Sequence, residues 1–203
     1  MKKGLMIVIS GPAGSGKGTV NAHLLATGEF VYSVSATTRA PRPGETDGVN
    51  YHFITREDFE ARIRSGDMLE YTEYCGNYYG TPRKEAEEVL NSGKNLILEI
   101  EVEGARNIKK KFPEAVLIML LPPSFRVQEQ RLRGRGTETE EKILERLART
   151  REEIKESDFY DYAVYNYDGA DKIAANEIYA IVTAERLATR RNESVASTYF
   201  DEN

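Results

Sequence analysis

The sequence predicts an α/β fold, a parallel sheet flanked by helices, on three observations. Five apolar runs have the length of strands buried on both faces: Leu5 to Ile9, Phe30 to Ser35, Asn95 to Ile100, Ala115 to Leu121 and Tyr162 to Tyr165. Helical patterns separate most of them, the alternation that builds layered α/β folds. The first run leads straight into a glycine-rich stretch, Ser10-Gly11-Pro12-Ala13-Gly14-Ser15-Gly16-Lys17-Gly18-Thr19, which in turn opens a helical pattern.

Taken in order, Lys17 to Thr27 reads as the first helix, ended by Gly28. From about residue 37 to 92 the strand-and-crossover rhythm is lost, and the stretch reads as a small inserted domain over the ends of the core strands. Within it, Arg39 to Gly44 is rich in proline and glycine, and Asp47-Gly48 turns into a strand over Val49 to Phe53. Thr55 is placed to cap a short helix, with Asp58 three residues on, Phe59 and Ile63 on one face and Gly66 at the end. Met68 to Tyr71 reads as a strand. Thr81-Pro82 has the cap-and-proline order that starts a second helix toward Leu90. Gly104 to Lys111 is a further helix, stopped before Pro113. Pro122-Pro123-Ser124 breaks the fourth core strand, and Phe125, Val127 and Leu132 space the next helix. Residues 134 to 145 read as a lid: Gly134-Arg135-Gly136, then Thr137 and Glu140 in capping-box spacing before a polar helix burying Ile143, Leu147 and Ile154. The core thus comprises 1–36 and 93–188, and the polar tail 189–203 is expected to be poorly ordered.

A chain of 203 residues holds one substantial core and a smaller appended unit. Its formal charge of −5 argues against general nucleic-acid binding. Cys75 is the sole cysteine, so no internal disulfide can form; it reads as a small, partly buried side chain in a reducing compartment. The opening Met1-Lys2-Lys3-Gly4 precedes too short an apolar run for a signal segment, and nothing later has the length of a membrane span. A cytoplasmic protein with no membrane partner is expected.

The glycine-rich stretch carries chemistry because of its setting. A strand, a tight loop and a helix N-terminus aim several backbone N–H groups at one spot, where phosphate is the natural occupant. Lys17 can reach the β and γ phosphates of a nucleotide. Gly18 stands where a Ser or Thr would help hold Mg²⁺, leaving Thr19 as the nearest hydroxyl.

Further along, Arg39 and Arg42 flank Pro41 and can offer two guanidinium forks to a second phosphate, or form a solvated surface. Tyr51 and Tyr79 supply phenolic donors nearby, while Tyr78 reads as packing. Glu70 is either a solvated edge residue or a base reader: a carboxylate accepts from guanine N1–H and its 2-amino group, and adenine presents neither. Glu99, Glu101 and Glu103 alternate at a strand end. They could start the next helix, where acids suit the dipole, but Glu101 is favoured as a site residue orienting Mg²⁺ water or basic neighbours, with Glu103 solvated. Arg135, between two glycines, can close over a transferring phosphoryl group. His23 and His52 carry no implied chemistry.

Together these stretches resemble the guanylate kinase family across roughly residues 5 to 188, on Gly11 to Thr19, Ser35-Ala36-Thr37-Thr38-Arg39 through Gly44, Asp47-Gly48 through Phe53, Gly76 to Thr81, and Arg133-Gly134-Arg135-Gly136-Thr137. The resemblance implies a P-loop NTPase-type core with an inserted nucleoside-monophosphate-binding domain and a lid. It further implies phosphoryl transfer from ATP to GMP or dGMP with Mg²⁺. Carried onto this sequence, it assigns guanine recognition to Ser35, Glu70 and Thr81, and the GMP phosphate to Arg39, Arg42, Tyr51 and Tyr79. Glu101 belongs to the same acceptor side. ATP falls to Gly11, Pro12, Ala13, Gly14, Ser15, Gly16, Lys17, Gly18 and Thr19, with Arg135 and Arg146 on phosphates and Asn166 near adenine. Two departures stand out. Glu99-Ile100-Glu101-Val102-Glu103-Gly104 replaces the family's Asp-Ile-Asp-x-Gln-Gly, and Tyr167-Asp168-Gly169 replaces its acidic pair after Asn166. The alternatives are a phosphosugar kinase of related fold, which has no use for a base reader, and a non-catalytic phosphopeptide-binding module, against which Lys17 and the arginine lid count.

Overall fold

The computed structural model describes residues 3–74, 76–136, 139–192, 197 and 199. Five parallel strands form the main sheet: β1 (Met6–Ser10), β2 (Phe30–Tyr32), β7 (Asn95–Leu98), β8 (Val116–Leu121) and β9 (Tyr162–Tyr165), in the order β2-β7-β1-β8-β9. β1 is central, with Met6 opposite Leu96 on one side and Ile9 opposite Ile118 on the other. All five apolar runs become strands of this sheet, though the second keeps only three of its six residues.

Alternation along β1 sends Ile7 and Ile9 into one hydrophobic cluster and Met6 and Val8 into another. The first is closed by α1 (Lys17–Leu25) and α7 (Asp171–Leu187), through Leu24, Ile178 and Val182. The second is closed by α3 (Arg83–Asn91) and α4 (Val102–Lys111), through Leu90, Ala105 and Ile108. α7 is an element that the sequence reading did not name. Its mean hydropathy is unremarkable, but Ala174, Ala175, Ile178 and Val182 share a face that is buried only because β9 and α1 lie beneath it.

A second, mixed sheet runs β4-β3-β6-β5, from β3 (Ala36–Thr37), β4 (His52–Phe53), β5 (Met68–Tyr74) and β6 (Asn77–Pro82). α2 (Arg56–Ser65) covers it, burying Phe59 against Ala36 and Met68. Thr55 caps α2 as expected, accepting from the Asp58 N–H at 3.1 Å, and Gly66 ends it in the left-handed region at φ 77°. The expected strand 49–53 shrinks to His52–Phe53, because Asp47 and the turn up to Tyr51 bridge to one another first. Thr81 does not cap α3. It lies inside β6, its hydroxyl committed to Glu70, and Pro82 takes the cap position with no side-chain bond.

α5 (Phe125–Gly134) and α6 (Glu140–Lys155) pack as a pair around Leu132, Ile143 and Leu147, with Ala13 and Phe125 against them. Arg133 holds them together from outside, donating to Glu129 and Glu140. The cap of α6 is Thr139, which accepts from Lys142 N–H; the expected cap Thr137 lies outside the described residues, as does Cys75. Ile154 is 41 % exposed rather than buried, since the contact with α5 reaches along α6 only to Arg151, over the Phe125 ring. The tail is tied down at its start: Thr189–Arg191 forms a 3₁₀ turn, and Arg190 and Arg191 both donate to Glu185. Among the described residues no helix is long and apolar enough to cross a membrane.

Candidate active site

β1 ends at Ser10 and α1 starts at Lys17, so residues 11–16 form the turn between them. Gly16 sits at φ 88°, and a Cβ there would lie 2.3 Å from Asn166 Nδ2. Both the backbone angle and the close approach demand glycine. Lys17 Nζ folds over the loop, donating to Gly11 O at 2.6 Å. Behind the loop, three successive carbonyls are each taken by a side chain. Gln128 Nε2 donates to Ala13 O at 3.0 Å, Arg131 Nη1 to Gly14 O at 3.1 Å, and Asn166 Nδ2 to Ser15 O at 2.9 Å. Carbonyls turned outward are the condition under which such a loop presents its N–H groups to an anion.

Across a cavity of about 370 Å³, the second sheet and the turn between β3 and β4 contribute a second basic cluster. Arg39 lies with its fork bidentate on Glu45, at 2.9 and 3.0 Å, and its guanidinium stands 5.5 Å from the Tyr51 ring centre. The same Glu45 accepts from Arg42 N–H at 2.7 Å. Hydrogen bonding from Arg39 holds the Glu45 carboxyl below its ordinary range. Tyr79 meets Tyr51 edge-on, with centroids 6.0 Å apart, and burial raises the Tyr51 phenol, keeping it a donor. Arg39, Arg42, Tyr51 and Tyr79, widely spaced in sequence, therefore converge on one wall. Tyr78, read as packing, stacks on Phe59 at 5.1 Å.

Glu70, from β5, is the buried acid of this cavity at 2 % exposure. Thr81, opposite it on β6, donates to Oε1 at 2.9 Å. Burial pushes the Glu70 pKa up to about 7, against the opposing pull of Thr81 and the Lys111 charge. Ser35 lines the same cavity just before β3. The solvated-edge alternative for Glu70 is thereby excluded.

Lys17, Glu99 and Glu101 line the core side of the cavity, and Lys142, Glu145, Arg146 and Arg149 its α6 side. Glu101 accepts from Arg149 Nη2 at 2.8 Å, joining the start of α4 to α6. Glu103 is exposed, with Thr72 donating to it at 3.3 Å. Not every expected residue faces this space. Thr19 is exposed on the first turn of α1 and Arg135 is exposed at the end of α5; neither lines the cavity. Asn166 sits behind the loop, 5 % exposed.

The chain as a whole is similar to known proteins. The family model for guanylate kinase matches residues 3–183. The chain belongs to the guanylate kinase family. It is 53 % identical over 191 residues to a guanylate kinase of Halalkalibacterium halodurans, covering 94 % of this chain and 93 % of the relative. A guanylate kinase of Streptococcus thermophilus is 50 % identical over 192 residues, covering 94 % and 91 %. The crystal structure of guanylate kinase from Anaplasma phagocytophilum is similar at a TM-score of 0.75 and 34 % identity, covering 94 % of this chain and 90 % of that one.

Against the guanylate kinase pattern, the two longer acids find specific partners. Glu99 Oε2 accepts from Asn21 Nδ2 at 2.8 Å and from Tyr32 OH at 3.4 Å, while Glu101 is reached by Arg149. Asp168, where the family pattern differs, pairs with Arg131 at 2.7 Å, and Tyr167 is left exposed. Sequence reasoning missed Gln128 and Arg131 as holders of the loop. A polar Gln128 within the apolar spacing of α5 was the available signal; Arg131 had none that set it apart from its arginine neighbours. Glu45 was missed too, although its place three residues after Arg42 matches the turn that brings them together.

Proposed function

We propose that the chain transfers the γ-phosphoryl group of ATP to GMP, and by the same contacts to dGMP, releasing ADP and GDP or dGDP. The reading rests on one observation: a single cavity joins Lys17 of the glycine-rich loop, the Arg39–Arg42 pair and the buried acid Glu70. Two anion-holding walls with an acid beside one of them suit a triphosphate and a nucleoside monophosphate held end to end. We assign the acceptor side to the second sheet and α2 within 37–92, the donor side to the core, and the lid to 134–145 with the rest of α6.

The acceptor phosphate lies between the Arg39 fork, Arg42 and the hydroxyls of Tyr51 and Tyr79, displacing Glu45 from part of its contact with Arg39. Guanine donates its N1–H and 2-amino hydrogens to ionised Glu70, while Thr81 and Ser35 fix that edge. Lys17 swings from Gly11 O onto the donor phosphates. Arg146, and Arg135 on closure, offset the negative charge that spreads over the transferring group. No covalent protein intermediate is needed, because holding donor and acceptor in line supplies the main rate advantage. Glu101 and Glu99 are hard oxygen donors lining the same cavity as Lys17 and fit Mg²⁺, which binds through one or two carboxylates, water and substrate phosphates. Among the described residues no group of three or more acidic, histidine or cysteine side chains forms a cage for it. Bound with ATP, the ion supplies charge neutralisation at the phosphate oxygens.

The test is ATP consumption in a coupled assay with GMP, dGMP, AMP and ribose 5-phosphate as acceptors. Turnover with GMP should exceed that with AMP by at least about 100-fold, since a buried carboxylate facing adenine is left unpaired. Equal rates with GMP and AMP would refute guanine reading, and preference for the sugar phosphate would favour the phosphosugar kinase. Binding of a phosphopeptide with no turnover of any acceptor would favour the non-catalytic module. Lys17→Ala should lower kcat by about 100-fold or more.

A further inference from the structure

We infer that Gly104 is a positioning residue for base recognition: its missing side chain leaves the space in which the Glu70 carboxylate stands. The inference rests on the guanine reading proposed above. Gly104 is buried in the first turn of α4, lines the cavity, and faces Glu70 from the opposite element. A methyl group on it would come to 3.1 Å from Glu70 Oε2 and 3.4 Å from Ile100 Cβ and Cδ1. Thr81 holds the other oxygen, Oε1, at 2.9 Å, so the carboxylate cannot turn away without giving up that bond. Ile100, partly buried against the second core cluster, stands at ordinary van der Waals distance. The tension must therefore fall on Oε2, the oxygen that Thr81 leaves for the base.

Helix geometry makes the glycine informative. Its backbone is ordinary helix, with no left-handed angle requiring glycine, and alanine is the better residue at a helix interior. Local stability thus favours alanine while the carboxylate opposes it. Gly80, also on the cavity wall, differs, because a Cβ there would strike the Phe59 ring and the Glu70 carbonyl, which is a packing constraint.

The experiment compares wild type, Gly104→Ala, Glu70→Gln and the double variant, measuring kcat, KM for GMP, KM for ATP and the urea midpoint. Gly104→Ala should raise KM for GMP about tenfold, the size expected from misaligning one charge-assisted hydrogen bond. KM for ATP should stay within about twofold, and the urea midpoint should be unchanged or higher. In the Glu70→Gln background the same substitution should change KM for GMP by less than about twofold, because the charged acceptor whose bond the methyl misaligns is already lost. An unchanged KM for GMP in Gly104→Ala overturns the inference. So does a lowered urea midpoint with both KM values rising, which marks a packing residue. A full effect that persists in the Glu70→Gln background overturns it as well, since the methyl then acts on something other than that charge-assisted bond. Wild type is assayed first: if it does not prefer GMP, the functional reading itself falls, whereas a normal wild type beside an unaffected Gly104→Ala removes only the role of Gly104.

Discussion

At the scale of single residues, Glu70 has a proton equilibrium with consequences for both binding and stability. Its folded pKa of about 7 lies above the ordinary glutamate value, so between those two values the folded chain holds a proton that the unfolded chain has released. This contribution to stability is fully present below about pH 4 and is lost as pH rises through 7, amounting to about 3 kcal/mol. Glu70→Gln should therefore flatten the fall in unfolding free energy between pH 5 and 8, measured by urea titration, and leave the free protein more stable at pH 8. The same substitution should impair acceptor binding. On the proposed reading guanine needs the ionised acid, so kcat/KM for GMP should drop about tenfold per pH unit below 7. Glu70→Gln should remove the part of that limb not shared with titration of the GMP phosphate. A pH profile of Glu70→Gln identical to wild type would place the reader elsewhere. On that reading stability and recognition are opposed at this position, as at many functional sites.

At the scale of elements, the glycine-rich loop is held by its neighbours more than by itself. Gln128, fully buried on α5, bridges Ala13 O in the loop and the Thr150 hydroxyl on α6, at 3.0 and 2.7 Å. Thr150 in turn donates to Arg146 O, so the turn of α6 carrying Arg146 is referenced to the loop that carries Lys17. Gln128→Leu keeps the volume and takes the donor away from Ala13 O and from the buried Thr150 hydroxyl, which should cost about 1–3 kcal/mol by chemical denaturation. Thr150→Val should add much less to Gln128→Leu than it costs alone, because the pair shares one bond. Strict additivity would show that the two side chains act independently.

At the scale of the molecule, the cavity is assembled from three places: the C-terminal ends of the core strands, the second sheet, and α6. Such a division predicts closure when both substrates bind, which excludes water from the transferring group. Solution scattering should give a smaller radius of gyration with GMP and a non-hydrolysable ATP analogue together than with either alone. An unchanged radius would mean that the described arrangement is already the reacting one.

Local chemistry in the sequence determined the five core strands, the glycine-rich loop between β1 and α1 and the α2 cap, because apolar runs, glycine turns and a threonine followed by a helix act over a few residues. It also brought out Arg39, Arg42, Tyr51 and Glu70 as chemical types, by resemblance and by what guanidinium, phenol and carboxylate can bind. Tertiary structure alone decided how they meet. Thr81 looked like a helix cap until β5 and β6 paired and brought Glu70 opposite its hydroxyl. Ile154 looked buried until α5 proved too short to cover it, and α7 was recognisable only by the strand and helix that bury its apolar face. Gly104 shows the same limit: a glycine in a helix is silent in sequence, and acquires meaning from a carboxylate 34 residues earlier that folding brings against it. Burial and close approach are properties of pairs distant along the chain, and no local pattern encodes which pairs the fold will make.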